Sequence, residues 1–119
     1  MQRYVPEGPY KESSYRIDVI LTCEARLPSG DWIRTAKRLN NLSGGLANIN
    51  GVLVPEPDVL PSLNFVPPGS YLTTCRNISI TLQATCRRLD DSWQPSALDI
   101  TSYAVVPGNV INDDGMLRF

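Results

Sequence analysis

The sequence predicts a small all-β domain made of two copies of one unit, and three observations carry that expectation. The stretch Leu82 to Trp93 has a counterpart at Leu21 to Trp32, 61 residues earlier, with Leu21, Arg26 and Trp32 identical to Leu82, Arg87 and Trp93. Each copy ends on a dipeptide suited to a two-residue hairpin turn, Asn50-Gly51 and Asp114-Gly115, where both turn positions need φ > 0. Between these points lie short apolar-alternating runs separated by turn signals at close intervals, as in all-β domains. The same offset links Tyr10 with Tyr71, Ala36 with Ala97, Leu39 with Ile100 and Asn48 with Asn109. Three extra residues, Ile111 to Asp113, then enter the second copy beside its hairpin. The repeated unit is about half the chain.

The elements follow in order. Met1 to Ser14 is polar with two prolines, and Tyr10 is its first anchor in the fold. In Tyr15 to Ala25 the residues Tyr15, Ile17, Val19, Leu21, Cys23 and Ala25 share one parity, which predicts a strand with that face on a core; Ile20 breaks the pattern mildly. Leu27 to Asp31 is a turn by composition, and Trp32-Ile33 resumes an extended segment. Leu39, Leu42 and Leu46 suit one irregular helical turn, which Gly44-Gly45 keeps short. A hairpin over Ala47 to Val54 follows. Val52 to Pro68 holds five of the ten prolines and reads as a stiff, extended connector, not a central strand. Beyond Gly69 the second copy runs through Tyr71 to Asn77, Ile78 to Cys86, the turn Arg87 to Ser92, Trp93 to Ile100 and a last hairpin ending at Phe119. The chain is thus expected to be one domain, 1–119, with a first repeat over about 10–54, a connector over about 55–68 and a second repeat over about 69–119.

At 119 residues the chain can bury roughly 65% of its unfolded surface and needs no staple. Eleven basic against 12 acidic side chains argue against nucleic acid or an anionic membrane as partner. No stretch is long and apolar enough to cross a bilayer, and the first fifteen residues hold no export signal. A soluble, cytoplasmic protein is expected, with secretion by an unconventional route left open. Three cysteines allow at most one internal pair.

Nothing in the chain reads as an enzyme. There is no histidine, Gly-rich phosphate loop, nucleophile elbow or Cys-x-x-Cys pair. Asp90-Asp91 and Asp113-Asp114 would have to face each other across a glycosidic bond to act as acid and base, whereas adjacent aspartates in turns face water. Asn112-Asp113-Asp114-Gly115 lacks the alternating ligands and distal Glu of a calcium loop. No metal or cofactor is expected.

The residues Thr74-Cys75-Arg76-Asn77, Leu82-Gln83-Ala84-Thr85-Cys86, Trp93, Leu98-Asp99-Ile100 and Asn48-Ile49-Asn50-Gly51-Val52-Leu53 resemble the cyanovirin-N homology family, over roughly Tyr10 to Phe119. The resemblance implies a metal-free, non-catalytic lectin for mannose-containing or related oligosaccharides. It implies two pseudo-symmetric halves, each a triple-stranded sheet plus a β-hairpin with short helical turns, and strands exchanged between repeats. One half would combine the end of the first repeat with most of the second; the other, the beginning and end of the chain. Carried over by position, the main sugar site comprises Asn48, Asn50, Ser70, Thr73, Thr74, Arg76, Arg87, Arg88, Asp90 and Asp91. A lesser one comprises Glu12, Ser13, Arg26, Ser29, Asn109 and Asp114, weakened by Pro28, which lacks a donor. These residue types suit a pyranose, whose neighbouring hydroxyls both donate and accept: carboxylates take protons, while Arg and Asn amides supply them. Trp32 and Trp93 read as packing residues, with sugar stacking as the other possibility. The resemblance also implies a disulfide between Cys75 and Cys86, with Ser14 and Ala25 in place of the matching pair; by its strand parity with Leu21, Cys23 reads as a small core residue. The family's strand exchange permits a domain-swapped dimer, which the prolines of the connector favour, while the connector's length favours a monomer; mainly monomer is expected. The competing reading is a protein-interaction or structural module on the same fold.

Overall fold

The computed structural model describes residues 4–56, 64–103 and 109–119. Two long strands, β1 (Ser14–Arg26) and β5 (Cys75–Arg87), run antiparallel through the middle of one four-stranded sheet. β2 (Trp32–Arg38) and β6 (Trp93–Asp99) are its edges, in the order β2-β1-β5-β6. Two hairpins stand apart from it, β3 (Gly45–Ile49) with β4 (Val52–Glu56), and β7 (Ile111–Asp113) with β8 (Met116–Arg118). Short 3₁₀ turns at Pro9–Glu12 and Ser70–Thr73 lead into β1 and β5. Part of the connector, residues 57–63, lies outside the described residues.

The core lies on one face of the sheet. Val19, Leu21, Cys23 and Ala25 of β1 are buried, as are Ile80, Leu82, Ala84 and Cys86 of β5. The alternation of β1 is therefore as expected from Val19 onward, but Tyr15 is not on that face: it is 44% exposed and meets Trp93 edge-on at 4.8 Å between ring centroids. The cause is a bulge. Arg16 takes φ 52 and adds one residue to β1 between the pairs Tyr15↔Thr85 and Asp18↔Gln83, which turns the preceding side chains over. Asn77, with φ 54, does the same on β5 between the pairs Thr22↔Ser79 and Glu24↔Arg76. Leu39 to Leu46 forms no helix; a turn bond from Leu42 N–H to Leu39 C=O (3.1 Å) leads into β3.

The pairing corrects the expected arrangement of halves. Instead of two separate triple-stranded sheets, β1 and β5 pair over their whole length, from Ser14↔Cys86 to Ala25↔Cys75. β2 covers only Ile20 to Arg26 of β1, and β6 only Thr81 to Arg87 of β5, so the sheet is three strands wide at each end. The β3–β4 hairpin and Ser70–Thr73 pack at the β2 end, and the β7–β8 hairpin and Pro9–Glu12 at the β6 end. The β2 end thus takes most of the first repeat with only the start of the second.

Each hairpin is docked through a glycine. A Cβ on Gly69 would stand 2.1 Å from Leu46 O, and one on Gly8 would stand 2.1 Å from Val110 O; both glycines have φ well inside the positive region, at +136 and +148. Leu46 and Val110 therefore occupy matching places, 64 residues apart. The three extra residues of the second copy consequently lie between Tyr103 and Val110, and not at Ile111 to Asp113. The partner of Asn48 is Asn112.

The expected disulfide is also corrected. Cys75 and Cys86 sit at opposite ends of β5, roughly 35 Å apart at the usual rise of a strand. A disulfide needs Cα atoms within about 7 Å. All three cysteines are free thiols.

Candidate functional site

At the β2 end, Asn48 ties the hairpin to the sheet. Its amide donates to Arg26 O (3.0 Å) and Thr74 Oγ1 (3.1 Å), and its Oδ1 accepts from Gly51 N–H (2.8 Å). At the β6 end Asn112 repeats the pattern, donating to Arg87 O (2.9 Å) and Ser13 Oγ (2.9 Å) and accepting from Gly115 N–H (2.7 Å). The backbone beneath matches too: Arg26 N–H donates to Thr74 O and Arg87 N–H to Ser13 O, each at 2.9 Å. A shallow cleft opens over each clamp. The first, about 440 Å³, is lined by Arg26, Leu27, Pro28, Asn48, Ile49, Asn50 and Thr74. The second, about 210 Å³, is lined by Ser13, Arg87, Arg88, Leu89, Asp91, Asn112 and Asp114.

The residues expected to form one main site are thereby divided. Asn48, Asn50 and Thr74 lie at the β2 end with Arg26, which was assigned to the other site. Arg87, Arg88 and Asp91 lie at the β6 end with Ser13 and Asp114, both assigned to the lesser site. The physical reason is the end-to-end pairing of β1 with β5, which puts the turn after each long strand beside the start of the other repeat's strand.

The remaining candidates line neither cleft. Arg76 lies on the outer face of the sheet, its guanidinium 4.0 Å from the Trp32 ring centre and 3.5 Å from Glu24. Ser70 Oγ donates to Glu56 (2.5 Å), Thr73 Oγ1 donates to Ser70 O (2.8 Å), and Ser29 Oγ donates to Asp31 (3.1 Å). Glu12 and Asn109 are exposed. Asp90 faces its own turn: hydrogen bonds from the Ser92 hydroxyl and N–H hold its carboxyl below the usual range. Trp32 and Trp93 are not core residues, being 37% and 49% exposed.

The clefts differ in the turn that walls them. At the β2 end this is Leu27-Pro28, with Ile49 opposite, so much of the lining is apolar. At the β6 end Arg88 and Asp91 replace Leu27 and Gly30 at the same offset. There Asp114 accepts from Leu89 N–H (2.9 Å) and lies 3.7 Å from Arg88. The guanidinium of Arg87 and the carboxylate of Asp91 are exposed, with no side-chain partner among the described residues. That cleft therefore sets free donors and a free acceptor around a clamped floor, which suits a small neutral ligand rich in hydroxyls. Asn112 escaped the sequence reading, although its spacing carried a signal: Asn-x-x-Gly occurs at both Asn48–Gly51 and Asn112–Gly115.

Among the described residues no group of three or more His, Cys, Asp and Glu side chains could hold a metal ion, and no helix is long and apolar enough to cross a membrane. No family model matches the chain, and a search of curated proteins finds no match.

Proposed function

We propose that this protein is a non-catalytic carbohydrate-binding module, a lectin for mannose-type or related oligosaccharides, and that the cleft over Asn112 is its principal site. One observation supports this above the rest: two clefts share one clamped backbone and an exposed arginine, and only at the β6 end does the turn add an unpartnered carboxylate, Asp91, beside Arg87 and Asp114. A pyranose could offer two adjacent hydroxyls to the Asp91 carboxylate while taking protons from Arg87. Three or four net hydrogen bonds at about 1 kcal/mol each, with burial of one ring face, correspond to a dissociation constant of roughly millimolar to micromolar. Tighter apparent binding would require both ends to engage one branched glycan.

The competing reading, a protein-interaction or structural module, is favoured by Asn48 and Asn112 themselves, since both amides are spent on the fold. An NMR titration with a mannose disaccharide separates the two. A lectin with this site shifts the amides of Ser13, Asp91 and Asn112, and the double variant Arg87→Ala, Asp91→Ala loses those shifts while keeping its dispersed spectrum. Shifts confined to Asn48, Asn50 and Thr74 would move the site to the other end. A spectrum unmoved by any glycan would favour the interaction module.

A further inference from the structure

Cys23 and Cys75 come from different repeats and meet at the β2 end of the long strands. Cys23 is buried in the core, and Cys75 is half-buried and packs against it. Cys75 pairs directly with Ala25, and Cys23 lies two residues back on the same face of β1. Between them the bulge at Asn77 gives β5 one residue more than β1, and both side chains pack on the core at this seam. The matching place at the β6 end holds only one thiol: Ser14 Oγ stands 3.3 Å from Cys86 Sγ, and Ala84 takes the position of Cys23. Among the described residues the chain therefore carries one dithiol, across the seam of its two repeats.

We propose that Cys23 and Cys75 form a redox-active dithiol that takes a low-molecular-weight disulfide of the glutathione type as oxidant and closes to an internal disulfide between the repeats. The half-buried Cys75 reacts first. Its thiolate attacks one sulfur of the oxidant, whose S–S bond breaks, leaving a mixed disulfide on Cys75 and releasing one reduced thiol. Cys23 then loses its proton and attacks Cys75 Sγ; the mixed disulfide breaks, a Cys23–Cys75 bond forms, and a second reduced thiol leaves. Two protein thiols are oxidised and one small disulfide is reduced to two thiols. Burial fits that order, because it holds the Cys23 thiol protonated, its pKa raised to about 12 by desolvation and the neighbouring Cys75. The bond would fix the strand ends under one cleft, since Thr74 adjoins Cys75 and its carbonyl accepts from Arg26 N–H (2.9 Å).

The test is incubation of the folded protein with oxidised glutathione, followed by acid quench, intact mass and tryptic mapping. Trypsin separates the three cysteines into peptides 17–26, 39–76 and 77–87. The expected product lacks two hydrogens, joins 17–26 to 39–76, reverts with dithiothreitol and unfolds at higher urea than the reduced protein. Cys23→Ala should instead keep glutathione on Cys75. Cys86→Ala leaves the pair untouched and should give the same cross-link, which keeps the test decisive if the Cys23 variant fails to fold. A link between 39–76 and 77–87, or glutathione persisting on Cys75 in the wild-type protein, would overturn the proposal.

Discussion

Replacing Asn112 by Ala removes the side chain that fastens the last hairpin to the sheet. Its three short contacts go, donation to Ser13 Oγ and to Arg87 O, both 2.9 Å, and acceptance from Gly115 N–H at 2.7 Å, along with a longer one to Ser13 O at 3.4 Å. Each short contact is worth about 1 kcal/mol net, and the exposed Arg87 carbonyl regains most of its share from water, which leaves a loss of about 2 kcal/mol. The turn itself keeps its positive φ at Asp114 and Gly115, so the hairpin can still form while its tie to the sheet weakens. Urea unfolding followed by tryptophan fluorescence measures the loss. Asn48→Ala, which breaks contacts of 3.0, 3.1 and 2.8 Å, should cost a similar amount. Asn109→Ala is the control, because that residue is exposed and the matching of Leu46 with Val110 excludes it from the clamp. An Asn109→Ala loss equal to that of Asn112→Ala would refute the placement of the three extra residues. An Asn112→Ala protein within about 0.5 kcal/mol of wild type would refute the clamp.

Two further outcomes follow from the pairing and from a turn. Ser14→Cys should form a disulfide with Cys86, because the two residues pair directly and their side-chain atoms are 3.3 Å apart; closing a span of 72 residues should stabilise the oxidised protein by about 4 kcal/mol in the chain-entropy picture. Urea unfolding of oxidised against reduced protein reads the gain, and a bond from Cys86 to any other cysteine would count against the pairing of β1 with β5. Asp99 accepts hydrogen bonds from the Thr101 hydroxyl (2.6 Å) and N–H (2.9 Å), which hold its carboxyl below the usual range. A lowered folded value means the contribution is complete above the unfolded value of about 3.9 and is lost as pH falls through the folded one. Thr101→Val should therefore move the Asp99 carboxyl upward in an NMR pH titration, and an unchanged midpoint would show that the hydroxyl is not the cause.

Much of the fold was legible in the sequence because each signal was local. Alternation from Val19 to Ala25 and from Ile80 to Cys86 follows from burying one face of a strand, and Asn50-Gly51 and Asp114-Gly115 mark tight turns by their need for positive φ. Tyr15 defied the alternation because the bulge rests on Arg16, a residue type with no particular preference for the left-handed region. The partner of each long strand was illegible for a different reason. Two copies of one alternating pattern present similar apolar faces, so hydrophobicity alone does not say whether a strand folds back on its own repeat or lies along the other. The assignment of Arg87, Arg88 and Asp91 to one end, and of the disulfide to Cys75 and Cys86, both rested on that choice and both changed with it. The Asn109 assignment failed because contiguous matching at 61 runs past the true site of the extra residues.

What recurs between the two ends, and what does not, separates the residues that hold the fold from those left free for the proposed ligand. Asn48 and Asn112, Thr74 and Ser13, and Gly51 and Gly115 all make their contacts to backbone or to one another. Arg26 and Arg87 belong to this frame through their main chains alone, by an N–H that donates across the strands and a carbonyl that accepts from Asn. Their guanidinium groups are left outside it. An arginine at both positions is therefore not required by the clamp, since any residue would supply the same carbonyl. The side chain is available for a ligand at either end, and whether it meets a complementary acceptor depends on the adjoining turn. Leu27-Pro28 offers none, whereas Asp91 and Asp114 stand beside Arg87 in the lining of the second cleft. In the proposed lectin, selectivity between the ends would then reside in a few turn side chains that carry no part of the sheet.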